Sequence, residues 1–368
     1  IQIEDLLERN PIILDNKTIS KDLKDKTILI TGAAGSIGSE IVRQVIQFKP
    51  HSIVLVDQGE TPLHQLTLEL ETIVTESNIH SVIADVRNKE VMRRVFRTYS
   101  PQVVYHAAAY KHVPLMEENP SQAIQTNVEG TKNVADLACE FKVKKFVMVS
   151  TDKAVNPSNV MGASKRIAEK YVQSLQLRSV KENNGKGTKF ITTRFGNVLG
   201  SNGSVVPLFS KQIAAGGPVT ITHQDIIRYF MTIPEACQLV LEAGSMGKGG
   251  EIYIFDMGKP VKIIDLARKM IKLAGFIPDK DIPIKIVGLR PGEKLYEELL
   301  NDTSKTIATY HEKIMIAEEI QEEFENLHLE IEELIGMSTF FSNEDIVGKM
   351  KKIVPEFKSM NSAFQFLD

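Results

Sequence analysis

Short apolar runs alternate with longer amphipathic stretches along the first half of the chain. Continuous apolar runs of this kind are typical of buried strands, and three clear ones are KTILIT (26–31), SIVLVD (52–57) and KKFVMVS (144–150). Residues with helical spacing lie between them, as in SIGSEIVRQVIQF (36–48) and in the stretch from about 121 to 140. Strands that alternate with helices predict right-handed crossovers and a parallel sheet. We therefore expect a doubly wound α/β fold, whose ligands bind beyond the carboxyl ends of the strands.

The first strand runs directly into the glycine-rich turn TGAAGSIG, which opens the first helix. Gly32 allows a tight turn, Gly35 lets backbone N–H groups approach a pyrophosphate, and Gly38 lets the helix pack close to the strand. The N–H groups of Ser36 and Ile37 begin a helix whose positive dipole end favours phosphate. This context predicts a Rossmann dinucleotide site, which also takes in Ala107 and Ala108 after the fourth strand.

Two acidic residues end the second and third strands. Asp57 lies 19 residues after Gly38, where a carboxylate accepts from both ribose hydroxyls of NAD and repels the 2′-phosphate of NADP. No Arg or Lys follows it closely, so we expect NAD as the cofactor. Asp85 and Val86 are expected beside the adenine, although Asp85 could instead cap the next helix.

After about residue 199 the regular alternation gives way to loops rich in Gly and Pro, which indicates a smaller mixed α/β substrate-binding region. The 368 residues suit about two domains. We expect four regions. A lead-in (1–25) precedes a NAD-binding Rossmann domain (26–198), whose sheet is partly completed from later residues. A substrate-binding region (199–310) and a helical, acidic extension (311–368) follow. Residues 318–333 hold eight glutamates and no lysine or arginine, typical of a solvated helical face, with an interaction surface as the alternative.

Composition narrows the possible partners. A net charge of −3 gives no reason to expect nucleic-acid binding, and no His, Cys or Asp cluster has metal-ligand spacing. No apolar run is long enough to span a membrane. The chain starts at Ile1 rather than Met, so we expect a piece of a longer cytoplasmic protein, which a preceding membrane anchor could hold at the inner face of the membrane.

Seven further motifs occur in order over residues 26–300 and are specific as a set. They are TGAAGSIGSE, HAAAYKHVPLMEENP, NVEGT, STDKAVNPSNVMGASK, RFGNVLGSNGSVVPLF, RYFMTIPEA and GLRPGEKLYEEL. The set resembles the CapD-like UDP-N-acetylglucosamine 4,6-dehydratases of bacterial polysaccharide biosynthesis, a branch of the extended short-chain dehydrogenases. The resemblance implies oxidation of sugar carbon 4 by NAD, loss of water across carbons 5 and 6, and hydride return to carbon 6. It also implies a UDP-sugar partner and a homo-oligomer.

In that family the triplet Thr151-Asp152-Lys153 is catalytic. The resemblance gives Asp152 the role of the acid for the departing hydroxyl and Lys153 that of the base for carbon 5. The usual Tyr of the Tyr-x-x-x-Lys pair is Met161 here, followed by Lys165. Methionine cannot accept a proton, but the membrane-associated subgroup of these dehydratases carries it and is active. Lys165 then keeps only the role of hydrogen-bonding the nicotinamide ribose. Asp152, acting directly or through the Thr151 hydroxyl, is the first candidate base for the carbon 4 hydroxyl.

The same resemblance implies a set of residues on the substrate side. Arg290 is expected to grip the pyrophosphate, with Glu293 holding the ribose or ordering the arginine. Arg228 is a second candidate phosphate ligand or a structural ion pair. The remaining expected substrate residues are Lys111, His112, Arg194, Asn197 and Ser204, together with Asn127, which is expected to order the backbone beside the site. Rival hypotheses are a dehydratase that inverts carbon 5, a carbon 4 epimerase, and a catalytically silent NAD-bound scaffold.

Overall fold

The computed structural model describes residues 6–7, 12–73, 75–298 and 306–368. The helices are α1 (Asn16–Leu23), α2 (Ser36–Ile46), α3 (Glu60–Glu71), α4 (Lys89–Tyr99), α5 (Val113–Glu118), α6 (Pro120–Ala123), α7 (Gly130–Glu140), α8 (Val160–Asn183), α9 (Val205–Ala214), α10 (Ile233–Met246), α11 (Ile263–Leu273), α12 (Phe324–Phe340) and α13 (Asn343–Ile353). The strands are β1 (Thr27–Thr31), β2 (Ser52–Asp57), β3 (Asn78–Ile83), β4 (Val103–His106), β5 (Lys145–Thr151), β6 (Lys189–Phe195), β7 (Asn197–Leu199), β8 (Val219–Ile221), β9 (Ile227–Arg228), β10 (Phe230–Thr232), β11 (Ile252–Phe255), β12 (Val261–Lys262), β13 (Ile284–Ile286), β14 (Thr306–Ala308) and β15 (Ile314–Ala317).

A large twisted sheet forms the centre, in the order β14-β15-β11-β6-β5-β4-β1-β2-β3. The strands from β11 to β3 are parallel, and β15 and β14 add an antiparallel edge. Helices cover both faces, which confirms the predicted doubly wound α/β fold. The strands β11, β14 and β15 come from residues after 198, and the domain boundaries given above stay predictions. Parts of three of those regions, residues 1–5, 8–11, 74 and 299–305, lie outside the described residues.

Alternate residues of the central strands supply two separate cores, because successive side chains point to opposite faces of a sheet. In β1, Leu29 belongs to the core that α7, α8, α12 and α13 complete, whereas Ile28 and Ile30 belong to the core under α2 and α10. A third cluster, which includes Phe209 and Ile271, lies in the smaller region between α9 and α11. The cleft between the large sheet and this third cluster is where the candidate site lies.

The helix expected from about 121 to 140 is in fact interrupted. A π-helical segment, Ile124–Glu129, joins α6 to α7. Asn127 lies in this segment and its side chain bonds to the backbone of Tyr110. A π-helical turn widens the spacing of the backbone hydrogen bonds and is frequent at functional sites.

The acidic run at 318–333 is only partly a solvated face, and that prediction needs correction. The side chain of Glu319 is buried and pairs with Arg194 at 2.9 Å, and Glu322 pairs with Lys170 at 2.5 Å. Glu332 pairs with Lys132 at 2.9 Å. The run therefore faces cations on β6, α7 and α8 of the same chain, which the one-dimensional pattern does not reveal.

Within the described ranges, no helix combines the length and apolar character needed to cross a bilayer. The same ranges contain no cluster of three or more His, Cys, Asp or Glu side chains able to bind a metal ion.

Candidate functional site

The turn between β1 and α2 is shaped by contacts that exclude side chains. Gly32 has a φ of +63°, and a Cβ there would lie 2.7 Å from the backbone of Ala108. A Cβ on Gly38 would lie 2.0 Å from the carbonyl oxygen of Gly32. α2 begins at Ser36, and its N-cap Gly35 offers no side chain to the first N–H groups. A narrow, uncapped helix N-terminus of this kind fits a phosphate group.

The carboxylate of Asp57 lies beside this turn at the end of β2. It accepts hydrogen bonds from the N–H of Ala34 at 3.0 Å and from the N–H of Gly59 at 2.8 Å. Asp57, Val86, Ala107 and Ala108 line a cavity of about 200 Å³ together with the glycine turn. The residues present therefore fit a dinucleotide with free ribose hydroxyls.

Asp85 lines the same cavity, but a neighbour that the sequence analysis missed holds its carboxylate. Arg87 donates to it through Nε at 3.0 Å and Nη2 at 2.9 Å. The alternative of a helix cap does not apply, because Asn88 caps α4 by accepting from the N–H of Val91. In the sequence, an arginine two residues after an aspartate that follows a strand could have predicted this pair.

A larger cavity of about 410 Å³ opens from the carboxyl ends of the parallel strands toward the smaller region. Most of the expected site residues line it. They are Ile37, Ala107, Lys111, His112, Thr151, Lys153, Met161, Lys165, Asn197, Ser204, Arg228, Arg290 and Glu293. Ile37 and His112 also line an adjoining cavity with Gly32, Gly35 and Ser36, so the two ligand regions meet there.

The triplet at the end of β5 divides between the cavity and the interior. Thr151 and Lys153 line the cavity, whereas Asp152 is fully buried beneath them. The Thr151 hydroxyl donates to Asp152 Oδ1 at 3.2 Å, and Lys153 Nζ lies 3.6 Å from the same oxygen. Two routes were expected for Asp152, direct contact with a ligand and relay through the Thr151 hydroxyl, and its buried position favours the relay.

The first turns of α8 form the opposite wall. The helix begins at Val160, where Asn159 Oδ1 caps the N–H of Gly162 at 2.7 Å. Met161 and, one turn later, Lys165 line the cavity. Lys165 Nζ donates to the carbonyl of Val149 at 2.9 Å, and burial lowers its pKa to about 8, with the carboxylate of Glu169 opposing the shift.

Asn127 is fully buried and lines neither cavity. Its amide accepts from the N–H of Tyr110 at 2.8 Å and donates to the carbonyl of Tyr110 at 3.0 Å. It also donates to Ser164 Oγ at 3.0 Å, a residue of α8 that the sequence analysis did not single out. Asn127 therefore joins the loop after β4 to α8 and orders the cleft from behind, without direct access to a ligand.

Arg194 is the clearest correction among the expected substrate residues. Its guanidinium is completely buried, with Glu169 at 3.0 Å from Nε and Glu319 at 2.9 Å from Nη1. It points away from the cavity because β6 alternates its side chains between the two faces of the sheet. Arg194 is a structural ion-pair residue.

The remaining substrate-side residues line the cavity, and they differ in how firmly hydrogen bonds hold their side chains. Asn197 accepts from Lys153 Nζ at 3.1 Å, and the Ser204 hydroxyl donates to the carbonyl of Ser201 at 2.6 Å. Arg228 is held by backbone carbonyls, such as that of Lys294 at 2.7 Å, which favours its structural role. Arg290 is exposed at the rim of the cavity, with its N–H donating to Glu293 Oε1 at 3.1 Å.

One buried carboxylate behind Lys153 was also missed. Glu297 lies 3.9 Å from the Arg228 guanidinium, and its Oε2 has no hydrogen-bond partner among the described residues. Burial raises the pKa of Glu297, and the Lys153 ammonium opposes the shift. Glu297 belongs to the motif GLRPGEKLYEEL, but the sequence does not show which of the three glutamates in this motif is buried.

Comparisons with known proteins agree with this architecture. A family model described as polysaccharide biosynthesis protein matches residues 28–319. The capsular polysaccharide biosynthesis protein CapD of Staphylococcus aureus is 56% identical over 315 residues, which cover 85% of this chain and 51% of that protein. The chain thus spans about half the length of this relative.

Two enzymes named for their reactions are more distant. The UDP-N-acetylglucosamine 4,6-dehydratase (inverting) of Campylobacter jejuni is 37% identical over 75% of this chain and 78% of its own length. A UDP-glucose 4-epimerase of Rickettsia canadensis is 36% identical over the same shares, 75% and 78%. Among solved structures, Pen from Bacillus thuringiensis is 35% identical, with a TM-score of 0.74 over 82% of this chain and 92% of that one.

Proposed function

The chain belongs to the polysaccharide biosynthesis protein family, and we propose that it is an NAD-dependent 4,6-dehydratase of UDP-N-acetylglucosamine. The product would be the UDP-4-keto-6-deoxy sugar, for the synthesis of a bacterial glycan. One observation carries the proposal. Thr151 and Lys153 line the same cavity as Met161 and Lys165, next to a glycine turn that fits a dinucleotide.

Bound NAD would supply the redox chemistry, as acceptor of the hydride from sugar carbon 4 and its donor to carbon 6. Gly32, Gly35 and the start of α2 would hold its pyrophosphate, and Asp57 its adenosine ribose. Lys165 would donate to the ribose of the nicotinamide. Its low pKa is relevant here, because a ribose hydroxyl is neutral and does not require a fixed positive charge.

Proton transfer falls to the residues at the end of β5. With methionine at position 161, the carbon 4 hydroxyl would pass its proton to the Thr151 hydroxyl, which in turn donates to Asp152. Lys153, in its neutral form, would take the proton from carbon 5, and the hydroxyl of carbon 6 would leave as water with a proton relayed from Asp152. The proton on Lys153 would return to carbon 5 as carbon 6 receives the hydride, so no net oxidation occurs.

Binding of the UDP portion falls to the rim of the cavity. The guanidinium of Arg290 is exposed there and suits a bidentate contact with phosphate oxygens. Glu293 accepts from the Arg290 backbone and thereby orders this turn. Lys111 and His112 border both cavities, where the sugar and the nicotinamide would meet.

The test is incubation with UDP-N-acetylglucosamine in heavy water, followed by NMR of the product. A dehydratase releases water and incorporates deuterium at carbon 5. We expect Lys153→Ala to reduce turnover by about 10²–10⁴-fold, the usual range for loss of an acid–base group. Lys186→Ala, at an exposed lysine in the loop after α8, is the matched control and should leave turnover unchanged. Full activity in Lys153→Ala would refute the role of Lys153.

Two other outcomes favour rival functions. The Campylobacter relative is named as inverting, and inversion at carbon 5 would appear in the ring couplings of the product. The Rickettsia relative is named as an epimerase, and an epimerase would change carbon 4 without loss of water. Bound nucleotide without any turnover, unaffected by Lys153→Ala, would identify a silent scaffold.

A further inference from the structure

Residues near the end of the chain form a partly buried junction with the loops that flank the candidate site. The junction consists of Glu117, Ser158, Asn159, Gly292, Met360 and Ser362. Met360 and Ser362 lie beyond residues 28–319, the part of the chain that the family model matches. No site motif covers this last segment, so its role is inferred from the contacts of the junction.

The backbone of the last segment bridges two loops of the site. The N–H groups of Lys358 and Met360 donate to the carbonyls of Pro157 and Ser158, both at 3.1 Å. The Met360 carbonyl accepts from the N–H of Gly292 at 2.6 Å. Residues 358–360 therefore connect the loop before α8 to the turn that carries Arg290 and Glu293.

Gly292 also binds directly to the beginning of α8. Its carbonyl accepts from Ser158 Oγ at 2.7 Å and from Asn159 Nδ2 at 3.1 Å. Its φ is +81°, and a Cβ there would lie 2.5 Å from the Cβ of Asn159. Only glycine permits this approach, which sets the distance from the Arg290 turn to Met161 and Lys165.

Glu117 joins the last segment to α8 through one buried carboxylate. Its Oε1 accepts from the N–H of Val160 at 2.9 Å, and its Oε2 accepts from Ser362 Oγ at 2.8 Å. Glu117 lies in the last turn of α5, whose N-cap is His112, so the same carboxylate also connects to the loop at the sugar end of the cavity. Removing one donor would leave a buried acceptor unsatisfied and loosen all three elements.

We propose that residues 358–362 are a positioning element of the substrate site. They hold the Arg290–Glu293 turn at a set distance from α8, and the Glu117–Ser362 hydrogen bond anchors them. The identity of the ligand rests on the function proposed above. The positioning itself concerns the phosphate-binding turn and not the glycine turn, so nucleotide-sugar affinity should change while NAD affinity should not.

The experiment compares three variants of the full chain. Ser362→Ala removes the hydroxyl that donates to Glu117, and Ser362→Thr restores it. Ser342→Ala removes the N-cap of α13, whose hydroxyl accepts from the N–H of Asp345, and so destabilises the same extension without touching the junction. For each variant, KM and kcat for UDP-N-acetylglucosamine, calorimetric affinity for UDP and affinity for NAD are measured.

We expect Ser362→Ala to weaken UDP binding and raise KM by about tenfold, the cost of one unsatisfied buried acceptor. kcat and NAD affinity should stay within about twofold, since the contacts around Lys153 and the glycine turn are untouched. Ser362→Thr should return UDP affinity to the wild-type value, and Ser342→Ala should not alter it.

The possible failures are distinguishable. Wild-type protein that binds UDP but does not dehydrate the sugar contradicts the proposed function, and loss of UDP affinity in Ser362→Ala would still support the positioning role. Unchanged UDP affinity in Ser362→Ala overturns the positioning role, as does an equal loss in Ser342→Ala. Wild-type protein that binds no UDP overturns both proposals.

Discussion

At the scale of single residues, Lys165 shows how burial changes the pKa of a site residue. Lys165 has only 5% of its surface exposed, and its single hydrogen bond among the described residues goes to a backbone carbonyl. Burial therefore lowers its pKa to about 8, against the opposing effect of Glu169. Lys153, twelve residues earlier, lies in the same cleft but within 3.6 Å of a carboxylate. Two lysines of one site thus differ in their surroundings.

Lys165 should make stability depend on pH in the alkaline range. In the unfolded chain a lysine keeps its proton up to about pH 10.4, whereas folded Lys165 releases it near pH 8. Between these values the unfolded state binds more protons at this position, so the contribution of Lys165 to the free energy of unfolding should rise with pH. The two cysteines, whose pKa values are raised by burial, act in the opposite direction. Urea titrations of nucleotide-free protein from pH 8 to 10.5 would therefore measure the rise as the difference in slope between the wild type and Lys165→Met.

Lys165→Met should remove that rise, and Lys181→Met, at an exposed lysine paired with Glu323, should keep it. Equal slopes for Lys165→Met and the wild type would show that Lys165 is not responsible.

At the scale of elements, two helical glycines differ in whether close packing requires them. Gly38 lies in the first turn of α2 against the Gly32 carbonyl, whereas a Cβ on Gly336 in α12 would meet nothing within 4 Å. Periodicity and glycine spacing placed β1, the turn and α2 correctly, because all three depend on neighbours in sequence. The interruption before α7 was missed because the bonds from Asn127 to Tyr110 join residues on separate elements.

Substituting these two glycines should have opposite effects on stability. Gly38→Ala places a methyl group 2.0 Å from a backbone oxygen and should cost about 1–3 kcal/mol, with loss of NAD binding. Gly336→Ala should stabilise the protein by about 0.5–1 kcal/mol, because alanine loses less backbone entropy in a helix. Urea unfolding and NAD titration measure both changes. A Gly38→Ala variant with normal stability and NAD affinity would contradict the close packing.

At the scale of the whole molecule, one buried ion-pair network joins three distant parts of the chain. Arg194 on β6 lies between Glu169 of α8 and Glu319, which precedes α12, and all three side chains are at most 4% exposed. Ser150 Oγ on β5 donates to Glu169 at 2.5 Å. The network therefore fastens the C-terminal extension to the strand that ends in the candidate catalytic triplet.

Breaking this network should be far more costly than breaking a surface pair. Arg194→Met leaves Glu169 and Glu319 without their main partner and should lower the free energy of unfolding by about 3–5 kcal/mol. Lys181→Met removes an exposed pair with Glu323 and should leave the free energy of unfolding almost unchanged. Urea denaturation at pH 7 compares the two. A loss in Arg194→Met no larger than in Lys181→Met would exclude the network as a major source of stability.

The linear chain was sufficient to predict the sheet, the glycine turn, the carboxylate at the end of β2 and the position of the triplet after β5. Each of these follows from local periodicity or from the spacing of a few neighbouring residues. Folding alone settled which charges face the cavity, since Lys153 lines it and the adjacent Asp152 is buried. It likewise separated exposed Arg290 from buried Arg194, whose partner Glu319 lies 125 residues away. The solvation of a charge depends on what packs over it, and those residues come from parts of the chain that no local pattern connects.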